Sequence, residues 1–298
     1  MKRRLLFTGT ATALVTPFKT NGAVDEPTLR KLVDLQIKGG VEALVPVGST
    51  GEGATLSEDE QAFVIETVVD QVHRKVPVIA GASSNSTIRA VGLAREAQKR
   101  GADAVLTVAP FYNKPTQEGI FQHFVAIAGA VEIPIVIYNV PGRTASNIDA
   151  ATALRLAEEV PNIAGVKEAS ANFGQIMEIL RNRPKGFGVW SGDDNLTLPM
   201  VALGADGVIS VAANEIPRLF SDMVRYTLMG KWEKARAMHY RLLPLMNANF
   251  LESNPIPVKA ALSMMGLTET TVRLPLVTMS DPARKRLENV MRDLKLVP

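Results

Sequence analysis

Cysteine is absent from all 298 residues, which excludes disulfides, thiol nucleophiles and thiolate metal centres. Histidine is almost as scarce. His73, His123 and His239 are the only three, and none stands at ligand spacing from another. A zinc site would have to lean on carboxylates, so no metal is expected and each histidine is read as a structural or surface residue. No apolar stretch reaches the ~18 residues that a membrane helix needs. Charge of one sign is equally short: 33 Lys+Arg against 30 Asp+Glu leave a net +3, without a basic run or a basic–aromatic stripe. Nucleic acid is therefore not an expected partner. Lys2, Arg3 and Arg4 are followed by Thr8, Gly9, Thr10 and Thr12, not by the long apolar region of a signal peptide. These absences leave a soluble chain, expected in the cytoplasm, with ordinary globular composition and ample length for a large core.

What is present is an alternation. Thr10–Val15, Ala43–Val47, Val76–Ala80, Ala104–Val108, Ile133–Tyr138, Ile163–Lys167, Gly188–Ser191 and Val208–Val211 are short apolar, β-rich runs. Between them lie segments with helical spacing: Glu26–Lys38, Ser57 to about Val72, Thr87–Arg100, Gln117–Ala130, Asp149–Glu159, Phe173–Arg181 and Leu196–Leu203. Ser57 with Glu60 makes a capping box that opens the second of these. Strand–helix alternation means parallel pairing with right-handed crossovers. Eight such units fit an α/β fold of the (β/α)8 TIM-barrel type. An open doubly wound sheet is the competitor, but Thr16-Pro17-Phe18 is not the Gly-rich turn that often follows its first strand. After Ala213 the strand signal stops, and Glu215–Met229, Trp232–Phe250, Pro257–Met265 and Pro282–Leu294 read as helices. The expected organisation is a barrel over 1–213 with a C-terminal helical appendage over 214–298.

In a barrel of this kind, chemistry gathers where strands end. The run Ile163–Val166 leads directly into Lys167, a charge at the end of a strand buried on both faces. Such a lysine is either solvated or sunk in a cleft. In a cleft, desolvation lowers its pKa, and a neutral amine can form a Schiff base with a carbonyl. Other strand ends carry Gly48-Ser49-Thr50-Gly51-Glu52, Ala109–Pro115 with Tyr112, Tyr138–Thr144 with Arg143, and Ser191-Gly192-Asp193-Asp194. Each has a plainer explanation: a turn with a helix cap, a surface or interface aromatic, a buried hydrogen-bonded phenol, a solvated arginine. For Asp193 and Asp194 the expected role is to N-cap the next helix. Together, hydroxyl, phenol, guanidinium and amine converge on one rim.

These motifs, with Thr10–Pro17, Gly165–Glu168, Gly207–Val211 and Asn254–Lys259, give the chain a close resemblance over nearly its whole length to the dihydrodipicolinate synthase family of class I pyruvate aldolases. That superfamily includes N-acetylneuraminate lyase. The resemblance implies a lyase of lysine and diaminopimelate biosynthesis. In it, Lys167 forms an imine with pyruvate, and the derived enamine attacks L-aspartate 4-semialdehyde. It implies a proton relay through Tyr138, Thr50 and Tyr112, with Tyr112 reaching the site of a neighbouring subunit in a homotetramer built of dimers. Ser49 and Thr50 would hold the pyruvate carboxylate, Arg143 the carboxylate of the semialdehyde, and Gly192 and Ile209 would bring backbone groups to the substrate. No metal or organic cofactor is implied, because the lysine imine is the electron sink. The alternatives are a sialic acid lyase, a 2-keto-3-deoxy sugar acid aldolase and a catalytically silent barrel. The chain departs from the family pattern in two places: Ser49 replaces the first of two threonines, and at the regulatory site Arg89 stands where lysine-regulated members carry a glutamate, with Glu58 or Gln61 for their histidine and Phe111 for their tyrosine. Insensitivity to lysine is expected from Arg89, since a cation repels the amine that a carboxylate would receive.

Overall fold

The computed structural model describes residues 5–298. The basic cluster Lys2–Arg4 lies outside the described residues. Eight parallel strands appear in the expected order: β1 (Gly9–Ala13), β2 (Ala43–Val45), β3 (Ile79–Gly81), β4 (Ala104–Val108), β5 (Ile135–Asn139), β6 (Ile163–Glu168), β7 (Gly188–Ser191) and β8 (Gly207–Ser210). The hydrogen-bonded ladder runs 2-1-8-7-6-5-4-3. A single parallel bridge, Leu44 to Val78, joins its two ends and closes the barrel. β1, β2, β3 and β5 are shorter than the apolar runs that announced them, β6 is one residue longer, and the other three match in length.

The helices between the strands are α1 (Glu26–Gly39), α2 (Glu58–Val72), α3 (Thr87–Lys99), α4 (Gln117–Ala128), the single turn α5 (Pro141–Thr144), α6 (Ala150–Glu159), α7 (Phe173–Asn182) and α8 (Thr197–Ala202). The capping box of α2 is formed in both directions: Glu60 N–H donates to Ser57 Oγ and Ser57 N–H to a Glu60 carboxylate oxygen. His73, with left-handed backbone, closes the same helix. His123 is buried, with its Nδ1 against the Thr87 hydroxyl, and desolvation lowers its pKa to about 4. Both are structural placements.

Four further helices follow: α9 (Pro217–Leu228), α10 (Trp232–Ala248), α11 (Ile256–Met264) and α12 (Asp281–Asp293). α9 leans on α1 and β1, where the outer ring needs its eighth helix. The last helices enclose a second apolar core around Phe220, Leu245 and Met291, which meets the barrel at Val208 and Ala212.

The barrel interior is filled, not hollow. Ala11, Ala43, Ile79, Ala104, Val136, Trp190 and Ile209 pack inside it. Trp190 is fully buried and stacks on Phe7 with ring centroids 4.8 Å apart. Its ring lies against Gly165 and Gly188, where an added Cβ would come within 2.6 and 2.2 Å of it. Above this plug the interior opens, and the polar side chains begin.

Candidate active site

Lys167 and Tyr138 face each other across the β5–β6 ladder, in register as Cα partners. The interior alternates along β6, so Gly165 yields to Trp190 while Lys167, two residues on, points into the space above. Lys167 is 6% exposed, and its Nζ lies 4.3 Å from the centre of the Tyr138 ring. Burial lowers the Lys167 pKa from 10.5 to about 8, and the negative charges of Asp193 and Asp194 hold it from falling further. At pH 7 that leaves roughly 10% of the amine neutral, against about 0.03% at the ordinary value. Burial raises the pKa of the Tyr138 phenol, and the nearby Arg143 charge opposes that rise.

A small enclosed cavity of about 40 Å³ opens directly above the amine, lined by Lys167, Tyr138, Thr50, Arg143, Gly192 and Asn254 among others. Its mouth widens into a cleft of about 600 Å³ that also reaches Arg89, Phe111 and Ser84. Ser49 lines both spaces.

The Ser49–Thr50 turn is held in an unusual shape. Val47 and Glu52 flank it with φ of 60° and 53°. A left-handed β-branched residue is strained by about 1–3 kcal/mol and persists only where its surroundings enforce it. The enforcement here is space: the Val47 carbonyl sits where a Cβ on Gly53 or Gly81 would lie 2.3 or 2.2 Å from it. The Thr16 hydroxyl donates to the carbonyl of Gly51 at 2.7 Å. Glu52 turns inward and pairs with Lys259, side chains 1% and 0% exposed, and also accepts the Arg273 N–H at 3.0 Å. Lys259 donates to the Thr271 carbonyl at 2.9 Å and lies 4.0 Å over the Phe18 ring. Thr50 itself is 3% exposed, and its Oγ1 accepts a hydrogen bond from Asn254 Nδ2 at 2.9 Å.

Five of the eight candidate positions from the sequence share the inner cavity with Lys167 or are Lys167 itself, and Gly192 makes a sixth. Gly192 acts through packing: an added Cβ would come 3.1 Å from Lys167 Cε and 2.6 Å from Ala169 Cβ. Arg143 sits on the single turn α5, which Pro141 starts and left-handed Ala145 ends. Two positions stand apart. Ile209 is fully buried in the barrel plug below the cavity. Tyr112 is 87% exposed with φ of 73°, and lines neither space.

The capping role expected of Asp193 and Asp194 is corrected by the structure. Neither side chain caps the helical turn Asp194–Leu196 or α8. Asp194 Oδ2 instead accepts the N–H groups of Val211 and Ala212 at 3.1 and 2.8 Å, tying the end of β7 to the loop after β8. The barrel curves that loop close enough to outbid the local N–H groups. Asp193 lines the cavity, and burial raises its pKa while Lys167 and Arg143 oppose the rise. Asp193 and Asn254 are the site residues that sequence reasoning left without a role there. For Asn254 no local signal exists, because its partner Thr50 is 204 positions away.

An amine poised to be neutral, an enclosed cavity, a guanidinium at the mouth and a hydroxyl pair on a rigid turn suit carbonyl condensation with an anionic substrate. Residues 6–294 match the dihydrodipicolinate synthetase family. The chain is 55% identical to a 4-hydroxy-tetrahydrodipicolinate synthase of Koribacter versatilis, over 95% of this chain and 94% of that one. It is 51% identical to the enzyme of that name from Chlorobium phaeobacteroides, over 99% of each. A crystal structure of a dihydrodipicolinate synthase superposes with a TM-score of 0.95 at 51% identity, covering 98% of this chain and 100% of that one. The chain belongs to the dihydrodipicolinate synthetase family.

Proposed function

We propose that the chain condenses pyruvate with L-aspartate 4-semialdehyde through an imine on Lys167, the 4-hydroxy-tetrahydrodipicolinate synthase reaction of lysine and diaminopimelate biosynthesis. The observation that carries this is the buried amine of Lys167, its pKa drawn down to about 8, in one cavity with Tyr138, Thr50 and Arg143. The neutral amine attacks the pyruvate ketone and water leaves, giving an imine. The positive imine acidifies the adjacent methyl group, and loss of a proton gives an enamine. The enamine carbon attacks the aldehyde. The substrate's own amine then attacks the former ketone carbon, closing the ring and releasing Lys167.

Each step moves a proton. A phenol is a poor base alone, so Tyr138 works with Thr50. Tyr112 extends the relay from a neighbouring subunit; its large exposure and left-handed backbone suit a ring offered outward. This makes a homotetramer, a dimer of dimers, the working form in the cytoplasm. Ser49 and Thr50 take the pyruvate carboxylate. Arg143 takes that of the semialdehyde in a two-pronged grip that lysine could not reproduce. Gly192 brings backbone to the substrate from the cavity wall, and Ile209 supplies backbone from beneath, where its side chain packs in the plug. The imine is the electron sink, so the chemistry calls for no metal or organic cofactor. The barrel over 1–213 carries the reacting amine and its relay, and the helical region over 214–298 braces it and adds Asn254 to the cavity wall.

Borohydride reduction in the presence of pyruvate should add a reduced three-carbon adduct to Lys167, read by peptide mass spectrometry. An unmodified Lys167 would end this reading. Arg143→Ala should raise KM for the semialdehyde roughly 10- to 100-fold, as for a lost charge-assisted hydrogen bond, and leave pyruvate trapping intact.

A further inference from the structure

We propose that Asn254 receives the α-ammonium group of the second substrate and so selects an amino aldehyde over its deamino counterpart. The inference rests on the pyruvate and semialdehyde reading above.

Asn254 precedes α11, is 6% exposed, and lines both the inner cavity and its mouth. One of its two Nδ2 protons goes to Thr50 Oγ1. Its Oδ1 is buried and has no hydrogen-bond partner. Buried acceptors are normally paired, so an orphan on a cavity wall marks a place that a ligand completes. Donation by Nδ2 also leaves Thr50 its single proton for the cavity, as the relay requires.

The ligand that completes it is defined by what else the cavity holds. Lys167 and Arg143 are cations, and Ser49, Thr50 and Tyr138 bring hydroxyl donors. These suit carboxylates and carbonyls. An ammonium offers three donors and accepts nothing, so it needs an oxygen acceptor. Outside the hydroxyls, two residues bring side-chain acceptors to the cavity lining. Asp193 is coupled electrostatically to Lys167 and Arg143. The oxygen of Asn254 is uncommitted. Its neutrality also fits the chemistry, because the ammonium must lose a proton before its nitrogen can close the ring. A carboxylate in contact would hold that proton, whereas an amide oxygen accepts the hydrogen bond without a full opposing charge.

The test uses the full-length enzyme with saturating pyruvate. Three quantities are measured for wild type, Asn254→Ala and Asn254→Asp: kcat and KM for L-aspartate 4-semialdehyde, and the inhibition constant of 4-oxobutanoate, which has the same skeleton without the amine. Asn254→Ala should raise KM for the semialdehyde roughly 10- to 100-fold, the range for a hydrogen bond to a charged group, and leave the inhibition constant within about threefold. Asn254→Asp should retain KM, lower kcat and move the kcat optimum to higher pH. A loss confined to kcat, or equal weakening of both aldehydes, would mean that Asn254 acts only through Thr50, and would overturn the proposal. So would an unchanged KM in Asn254→Ala. At saturating pyruvate, borohydride should still trap the adduct on Lys167 in both variants, more slowly in Asn254→Asp because a carboxylate cannot donate to Thr50; no adduct in Asn254→Ala would place Asn254 in pyruvate binding and overturn the proposal. Failure of trapping in the wild type would overturn the pyruvate reading and this inference with it.

Discussion

Replacing Lys259 by Met should destabilise the enzyme through a residue outside the catalytic cavity. Lys259 and Glu52 are both essentially inaccessible, and the pair is shielded by the Phe18 ring. Methionine matches the lysine stem, so little packing volume changes; what goes is the charge that faces Glu52. The remaining contacts of Glu52 are the Arg273 N–H at 3.0 Å and the field of the Arg273 guanidinium, which itself is bound to Glu60. Removing one partner of a buried pair typically costs about 3–5 kcal/mol, because the other is left uncompensated. For a chain of this size that is roughly a 5–10 °C fall in Tm, read by calorimetry or thermal fluorescence. The double replacement Glu52→Gln with Lys259→Met should recover much of the loss, since a neutral pair escapes the desolvation of both ions. Activity should fall in both, because Glu52 belongs to the turn that carries Ser49 and Thr50. A single replacement that shifts Tm by less than 1 °C would refute the reasoning, as would a double replacement as unstable as the single.

The rate of imine formation with pyruvate should rise with pH through about 8 and then level, since burial depresses Lys167 to that value and only the neutral amine attacks. Asp193→Asn removes a charge that holds this pKa up, so stopped-flow or trapping rates should show the midpoint move down; an upward move would contradict the assignment. The same depressed pKa means that Lys167 favours folding above its unfolded value near 10.5, and that this contribution is lost as pH falls through about 8, a trend that denaturant titrations between those limits can follow. Gly192→Ala forces a methyl group against Lys167 Cε and Ala169, and should reduce imine formation at least tenfold while lowering Tm only modestly. Lysine at millimolar concentration should leave initial rates unchanged. Arg89 lines the cleft beyond the site and is paired with Glu58 at 3.1 Å, so an incoming ammonium would meet a cation there; strong inhibition would refute this.

The barrel was readable because its signal is local. Runs such as Ile163–Val166 and the reciprocal cap of Ser57 and Glu60 carry their structural meaning within a few residues. Lys167, Tyr138 and Thr50 were readable as candidates because each stands at the end of such a run. Asp194 was misread because a short acidic side chain before a helix does have a local use, and only the closure of β7 against β8 supplies the better donors at Val211 and Ala212. Asn254 and Lys259 were opaque in role for the same reason. Their partners Thr50 and Glu52 are more than 200 positions away, a separation that no period or motif encodes.

That separation has a consequence for how the enzyme comes into being. A chain emerging from the ribosome will have released all eight strands well before Asn254, Lys259 and Arg273 appear. The turn bearing Thr50 then lacks the groups that clamp it from the far end of the polypeptide. Synthesis should therefore yield a nearly closed cylinder that remains catalytically mute, and competence should arrive only after Asn254, Lys259 and Arg273 have emerged.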